Sequence, residues 1–291
     1  MTAEFPAGVG RVPAPLLFLT GAAAMYLGAS LAVGLFDVVS PAAVAWLRLV
    51  GAAAVLLAWR RPGRVAWRGD RLWRAGAFGL TTAVMNIAFY EAIARLPLGT
   101  AVAVEFCGPV AVAALSSRGV RDWLALLAAA SGVLLVSEQN PARWSGTQSG
   151  MLWALAAALA WAGYIVLAKR VALGGNGVDD MAVGFVLAAA LLAPLAAGTG
   201  PVWLEGRLVV LAVGVGVLSS VVPYALDQVV LRRIGRARFS VLLALLPVTA
   251  TVVGLLVLDQ VPGPLECAGI AAVVAAVALR SKDGDEPVAA T

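Results

Sequence analysis

The chain has 291 residues, of which 62% are hydrophobic and 13% charged, and its formal net charge is +5. Soluble domains carry about 25% charged residues, so this composition excludes a water-soluble globular domain and indicates that lipid surrounds much of the chain. The absence of histidine removes the commonest metal ligand and general base, and neither cysteine stands in a metal-ligand spacing, so no metal or cofactor is predicted.

Apolar runs long enough to cross a bilayer, about 20 residues each, follow one another along the chain. The first is too long for a signal-peptide core and is followed by many others, so we expect it to be retained. Pro41, Pro97 and Pro264 stand at helix starts, where a missing N–H is tolerated. The sequence predicts an all-α polytopic membrane protein with ten transmembrane helices, at 14–36, 41–59, 75–95, 96–116, 122–137, 150–168, 180–198, 207–228, 237–258 and 264–280.

The basic residues are distributed unevenly among the loops between these runs. Of the 21 lysines and arginines, only Arg95, Arg143 and Arg207 fall in loops on one side, Arg48 falls within a span, and the others lie on the opposite side. Cytoplasmic loops are the ones enriched in basic residues, so both termini are predicted to be cytoplasmic in a cell inner membrane. The same placement explains the positive charge without nucleic-acid binding.

Similar features recur in the two halves of the chain. The spacing from Arg95 to Pro109 equals that from Arg233 to Pro247, at an offset of 138 residues. A second match, at an offset of 135, places Met25-Tyr26-Leu27-Gly28-Ala29 over Ala160-Trp161-Ala162-Gly163-Tyr164. Since alanine-rich runs align easily by chance, the order of the features is better evidence of a repeat than residue identity.

Each half, residues 14–137 and 150–280, is predicted to hold five helices. An odd number of helices reverses the orientation of the second half, which gives two inverted five-helix repeats. Secondary transporters often follow this plan, with the binding site near the midplane between the repeats. A duplicated bundle without a transport role is the alternative. Residues 281–291 are polar and are predicted to form a disordered cytoplasmic tail.

Glu105 is the most informative of the few polar residues inside the predicted spans. A charge in hydrocarbon costs several kcal/mol, so such residues usually face a cavity or a partner. Glu105 lies one helical turn before Pro109, which leaves the backbone near Glu105 without its usual hydrogen-bond donor. A carboxyl group in that place suits an ammonium group or a proton, so Glu105 is the proton-coupling candidate. A structural ion pair with Arg48 is the alternative.

Arg48 lies seven residues into the second span, too deep to reach the interface easily. It could bind a substrate carboxylate with two hydrogen bonds, or it could neutralise Glu105. These two interpretations stay open at this point. Glu91 and Asp227 lie nearer to helix ends and are expected to reach water instead.

Four further polar residues recur at helical spacing in two spans. Asn86 and Tyr90 are four residues apart, as are Tyr224 and Gln228, and Tyr224 follows Pro223. The two faces are predicted to line one cavity from both halves, with interhelical hydrogen bonding as the alternative. The last candidates lie at matched places in the repeat and either contact a ligand or pack: Tyr26 and Ser30 in the first span, Trp161 and Tyr164 in the sixth.

With these residues in view, the chain resembles the EamA family of the drug/metabolite transporter superfamily over about residues 21–280. The segments that carry the resemblance are Gly28-Ala29-Ser30-Leu31-Ala32, Leu47-Arg48-Leu49, Met85-Asn86, Phe89-Tyr90, Pro97-Leu98-Gly99, Ala101-Val102-Ala103, Glu105-Phe106, Gly108-Pro109, Ser116-Ser117-Arg118 and Pro223-Tyr224.

The resemblance implies ten helices in two inverted repeats, a central cavity, and export of small amino acids driven by a proton gradient. It places most of the residues singled out above, from Tyr26 to Tyr224, at or near that cavity. The exporter that the chain resembles carries Glu before the proline of the ninth span, where this chain has Leu246, and its Gly-Glu near the end of that span reads Asp259-Gln260 here. A more apolar cavity would prefer a larger or less charged solute.

Two other functional classes are less consistent with the residues. An intramembrane enzyme needs a nucleophile–base pair or a cluster of metal ligands, and the carboxylates here lie one per helix, so no enzyme activity is predicted. A non-transporting membrane scaffold would lack a polar central cavity. The expected partners are a small solute, membrane lipid and protons; a homodimer, the substrate and the direction of transport stay open.

Overall fold

The structure, a computed structural model, describes residues 12–117, 120–137, 144–172 and 177–281. Within these residues the backbone is helical almost throughout, without any strand. The predicted tail beyond Ser281 lies outside the described residues. The helices are α1 (Ala14–Val33), α2 (Pro41–Arg60), α3 (Gly69–Ile93), α4 (Leu98–Glu105), α5 (Cys107–Ser117), α6 (Val120–Ser137), α7 (Trp144–Ala172), α8 (Gly177–Leu191), α9 (Gly200–Leu204), α10 (Gly206–Gly216), α11 (Val222–Leu243), α12 (Leu245–Leu258) and α13 (Pro264–Ser281).

Helical backbone lies over every predicted span, and the prediction of an all-α membrane protein is confirmed. By length and hydropathy alone, three described segments can each cross a bilayer, namely Ala14–Val33, Pro41–Arg60 and Gly206–Asp227, and a bent pair of helices can form a fourth. The remaining apolar helices are shorter or more polar. The count of ten spans therefore stays a prediction.

The seventh and eighth predicted spans differ most from the observed helices. The seventh was expected over 180–198, but α8 ends at Leu191 and the chain continues at an angle of 69° through a 3-10 segment, Ala193–Thr199, into α9. Pro194 has no N–H to donate to the carbonyl of Ala190, so α-helical bonding cannot continue through this point, which explains the end of α8. After the eighth span the predicted loop is helical, since α11 runs on to Leu243; arginine, leucine and isoleucine are adequate helix formers there.

The chain nevertheless turns back within α11. Pro223 and Leu226 lie against Gly21 of α1, and further along α11 the Arg233 side chain reaches the carbonyl of Val12. The next aromatic residue of α11, Phe239, packs edge-on against Phe18, with 5.5 Å between ring centroids. Arg233 already lies at the start of α1, and each residue of a straight helix advances about 1.5 Å, so a straight α11 would carry residue 239 past that end of α1 rather than to Phe18. The second part of α11 therefore returns along α1.

Prolines interrupt two of the predicted spans at matching places. Pro109 has no N–H for the carbonyl of Glu105, and the helix breaks at Phe106, between α4 and α5. Pro247 stands in the same relation to Leu243, and the helix breaks at Ala244, between α11 and α12. The two breaks lie 138 residues apart, the offset at which the two halves of the sequence align.

A third proline widens the helix between α10 and α11. Pro223 leaves the carbonyl of Ser219 without its usual donor, and Val217–Val221 forms a π-helical turn in which Val222 donates to Val217. Such turns release backbone groups for other partners and often mark functional sites. This turn lies against α1 and α2 and takes part in the site described next.

Candidate functional site

A cavity of about 390 Å³ lies at the centre of the bundle, between the two halves of the chain. Its volume falls within the range typical of small-molecule sites, about 300–1,000 Å³. Helices α1 to α5 contribute one part of its wall, and α7, α11 and α12 contribute the other. The lining residues are Phe18, Gly21, Ala22, Met25, Tyr26, Arg48, Met85, Asn86, Phe89, Glu105, Phe106, Pro109, Trp161, Tyr164, Ile165, Pro223, Asp227, Phe239, Leu243 and Leu246.

Glu105 lies at the break between α4 and α5. Its side chain is only 8% exposed, and it makes no ion pair or side-chain hydrogen bond with the described residues. The break is the direct consequence of Pro109, so the same local sequence that bends the helix also presents the carboxyl group to the cavity. The alternative of a structural ion pair with Arg48 is not observed within 4.0 Å.

Arg48 is fixed to the π-helical turn of the second half. Its Nε donates to Ser220 Oγ at 3.0 Å and its Nη2 donates to the carbonyl of Ser219 at 2.8 Å. The Ser219 carbonyl is the one that Pro223 leaves without a donor, so a proline on one helix creates the acceptor that holds an arginine on another. A guanidinium group has five N–H donors, so three remain available after these two bonds.

Tyr90 lies behind Arg48 rather than in the cavity wall. Its ring centroid is 5.6 Å from the guanidinium carbon, a distance at which the positive charge is attracted to the ring face. The side chain is fully buried, and its hydroxyl has no hydrogen-bond partner among the residues that the structure describes. Tyr90 therefore packs against Arg48, and it is not among the residues that line the cavity.

The other polar lining residues surround the same space. Asn86 of α3 is 6% exposed and Tyr26 of α1 is 3% exposed. Glu105 of α4 and Asp227 of α11 line the same space. Two carboxyl groups, one guanidinium group, one amide and two phenols thus line one cavity.

The sequence singled out ten candidate site residues, and the structure places six of them in the cavity wall. These six are Tyr26, Arg48, Asn86, Glu105, Trp161 and Tyr164. Ser30 and Tyr90 do not line the cavity; the Ser30 hydroxyl donates to the carbonyl of Tyr26 within α1. The side chains of Tyr224 and Gln228 lie outside the described residues. The binding role of the six remains a prediction, since position alone does not test it.

Asp227 is the polar residue that the sequence interpretation undervalued. It was expected to reach water near a helix end, but it lies in the cavity wall because α10, the π-helical turn and α11 form one continuous helical path past it. Glu91, which was judged in the same way, pairs with Arg95 at 2.6 Å and stays outside the cavity. The spacing in the sequence could have indicated that Asp227 faces the cavity, since it stands one helical turn after Pro223.

The rest of the wall is apolar. Phe18 and Phe239 meet at one end, and Leu243 and Leu246 continue that surface along the second half. Leu246, at the position noted above for its missing carboxylate, is 7% exposed and lies in the wall. The cavity wall therefore combines charged groups with a continuous apolar surface.

A helical bundle of this composition, with a cavity lined by Arg48, Glu105 and Asp227, defines an integral membrane protein of the transporter class. Comparison with known proteins identifies the family. Residues 148–281 match the EamA-like transporter family. Together with the similarity to full-length relatives described next, this match shows that the chain belongs to the EamA-like transporter family, as the sequence predicted.

The chain is similar to the threonine/homoserine exporter RhtA of Escherichia coli strain K12, with 32% identity over 277 residues that cover 93% of each chain. It is also 32% identical to the threonine/homoserine exporter RhtA of Salmonella typhimurium strain SL1344, over 90% of this chain and 88% of that protein. A solved crystal structure at 23% identity aligns with a TM-score of 0.61 over 91% of this chain and 95% of that one. This last likeness concerns the fold alone.

Proposed function

We propose that the protein exports small amino acids such as threonine and homoserine across the cell inner membrane, driven by a proton gradient, by alternating access around the central cavity. The observation that carries this proposal is the position of Arg48, Glu105 and Asp227 around one cavity between the two halves. The named activity of the relatives supports the substrate class. No second buried space of this kind needs to be invoked.

The charges in the cavity suit a zwitterion. Arg48 is held by two bonds to the π-helical turn, and its remaining donors can bind an α-carboxylate. The carboxyl groups of Glu105 and Asp227 can accept from an α-ammonium group. Because Tyr90 and Ser219 hold the guanidinium group in place, little side-chain entropy is lost when the solute binds.

Glu105 is the residue proposed to couple transport to protons. It is buried, lines the cavity and makes no ion pair or side-chain hydrogen bond within the described residues. An ammonium group and a proton can therefore compete for the same oxygen atoms. Exchange of one for the other on opposite sides of the membrane would link export of the solute to entry of a proton.

The packing of the helices supports two inverted five-helix repeats over residues 14–137 and 150–280. The contact of α3 with α7 corresponds to the contact of α11 with α1. The contacts of α4 and α5 with α7 correspond to the contact of α12 with α1. Likewise α3 packs on α8 as α10 packs on α2. The other major contacts between the two halves join equivalent helices: α2 with α8, α4 with α12, and α6 with α13. A two-fold relation between the halves predicts this pattern.

Individual contacts follow the same relation. A Cβ placed on Gly28 would lie 2.8 Å from the Ser219 backbone nitrogen, and one placed on Gly163 would lie 3.7 Å from Thr81 Cγ2. Gly28 and Gly163 match at the offset of 135, and Thr81 and Ser219 match at 138. The cavity wall repeats too, since Met85 and Pro223, Phe89 and Asp227, and Glu105 and Leu243 are matched pairs that all line it.

Two other interpretations differ in what the cavity binds. The apolar surface from Phe18 to Leu246 favours a solute with an apolar part, so another metabolite, an amine or a drug is the alternative substrate. A non-transporting scaffold requires dry packing around Glu105, and the cavity beside this residue speaks against it.

An export assay in cells tests the proposal. Cells that express the chain are loaded with threonine, homoserine, apolar amino acids and simple amines, and release into the medium is measured beside resistance to each compound. Expression of the wild-type chain should accelerate release of threonine or homoserine, and the Glu105→Gln variant at equal abundance should not. Equal release of every compound with and without the protein contradicts the proposal; acceleration of apolar amino acids or amines alone favours the alternative substrate.

A further inference from the structure

The connection between α2 and α3 concentrates arginine and tryptophan residues. Residues 59–74 read Trp-Arg-Arg-Pro-Gly-Arg-Val-Ala-Trp-Arg-Gly-Asp-Arg-Leu-Trp-Arg, with six arginines and three tryptophans. The transport site does not use this segment, which is far from the cavity wall along both helices. Its composition is typical of protein surfaces at the boundary between lipid and water.

The connection is anchored to the second half of the chain. Ala66, in a 3-10 turn at Arg64–Trp67, is 2% exposed and forms a small apolar cluster with Ala75 and Val183. Two ion pairs hold its ends to the start of α8: Arg60 with Asp179 at 3.0 Å and Arg71 with Asp180 at 2.5 Å. The backbone is therefore held in place from both sides, which fixes the positions of the other side chains.

The four remaining arginines, Arg61, Arg64, Arg68 and Arg74, are exposed and make no ion pair with a described residue. We call this group the arginine surface. Two apolar side chains accompany it: Trp73 is 81% exposed and Val65 is 74% exposed. Together these residues expose four positive charges beside an apolar surface, and contact between that surface and water is unfavourable.

The length of α2 places the arginine surface at headgroup level. The helix has 20 residues from Pro41 to Arg60, so it extends about 30 Å, the thickness of the hydrocarbon core. Arg61 follows directly and turns the chain with a left-handed φ of 47°. The arginine surface therefore begins where the hydrocarbon ends and where lipid phosphates lie.

We infer that the arginine surface is a binding site for the phosphate headgroups of anionic phospholipids in the adjacent leaflet. Guanidinium groups bind phosphate oxygens with paired hydrogen bonds, and clusters of four or more basic residues beside a transmembrane helix attract anionic lipids. Trp73 and Val65 extend into the interfacial layer beside the bound lipid, which explains their exposure. The inference does not depend on the transported solute.

Native mass spectrometry of the full-length chain tests this inference. The protein, purified in dodecyl maltoside, is mixed with equal amounts of dioleoylphosphatidylglycerol and dioleoylphosphatidylcholine, and the retained lipid is counted. The wild-type chain should retain the anionic lipid preferentially. Arg64→Gln and Arg68→Gln should each reduce that preference by about fivefold, and neutralising all four arginines should remove it.

Arg207→Gln is the matched control, because Arg207 is also exposed at a helix start but lies outside the arginine surface. It should leave the preference unchanged. Trp73→Ala should lower retention of both lipids, which distinguishes a lipid surface from a site for soluble phosphate. Equal retention of both lipids by the wild-type chain, an unchanged preference in the fourfold variant, or displacement of the lipid by millimolar inorganic phosphate would each overturn the inference.

Discussion

Replacing Glu105 with glutamine removes the carboxyl group that is proposed to bind an ammonium group or a proton, and it leaves the size of the side chain almost unchanged. Glu105 makes no ion pair or side-chain hydrogen bond with the described residues, so folding should be little affected. A hydrogen bond between its carboxylate and a bound ammonium group contributes about 2 kcal/mol. Loss of that bond should weaken substrate binding by about 30-fold.

The assay uses proteoliposomes that contain the purified chain and a labelled amino acid. The half-saturating concentration for counterflow should rise by about 30-fold in Glu105→Gln, and an imposed pH gradient should no longer accelerate transport. The unfolding temperature in detergent should stay within the error of the wild-type value.

Glu91→Gln is the matched control, because Glu91 carries the same group outside the cavity and pairs with Arg95. This variant should transport as the wild type does. If Glu105→Gln transports with the wild-type half-saturating concentration and the same response to a pH gradient, Glu105 neither binds the solute nor carries the proton, and the reasoning fails.

Three further predictions concern the groups that hold the site together. Arg48→Lys loses the bonds to the π-helical turn and should lower stability by about 2 kcal/mol, seen as a lower unfolding temperature in detergent, whereas Arg207→Lys should not change it. Gly184→Ala places a Cβ against the backbone of α3 and should lower the free energy of unfolding by about 1–3 kcal/mol. Gly63→Ala is the control, because Gly63 has open space around it, and it should leave stability unchanged. Equal yields of folded protein from the two variants would contradict this prediction. Gln260→Leu removes the side-chain acceptor that lies 2.8 Å from the first amide of α4. The free energy that protects this amide from hydrogen exchange should fall by about 1 kcal/mol, so the amide should exchange faster. An unchanged exchange rate would argue against this cap.

Hydropathy and charge were sufficient to predict the class of the fold and most of the apolar helices. They were sufficient because lipid imposes a minimum length and an apolar surface on every span. Helix boundaries were harder to predict. Hydropathy does not register that Pro194 ends α8 early, nor that the arginine-rich connection after Asp227 is helical, because these features depend on local backbone geometry.

The candidate site was predictable where a polar residue lay deep in an apolar run. Glu105 and Arg48 were identified in this way, and both line the cavity. Tyr90 was placed in the wall because its spacing from Asn86 suggested a shared face, but whether a side chain on that face meets the cavity or a neighbouring helix depends on packing. The bond from Arg48 to Ser219 could not be predicted, since it requires the carbonyl that Pro223 releases on a helix distant in sequence.

The central claim is that the cavity holds a zwitterion between Arg48 on one side and Glu105 with Asp227 on the other. Competition against labelled L-threonine on the purified chain tests it most directly, with 1-amino-2-propanol lacking the carboxylate and 3-hydroxybutyrate lacking the ammonium group. The account predicts that unlabelled threonine displaces the label and that each analogue is weaker by about 30-fold or more. Displacement by either analogue as effective as that by threonine would contradict it.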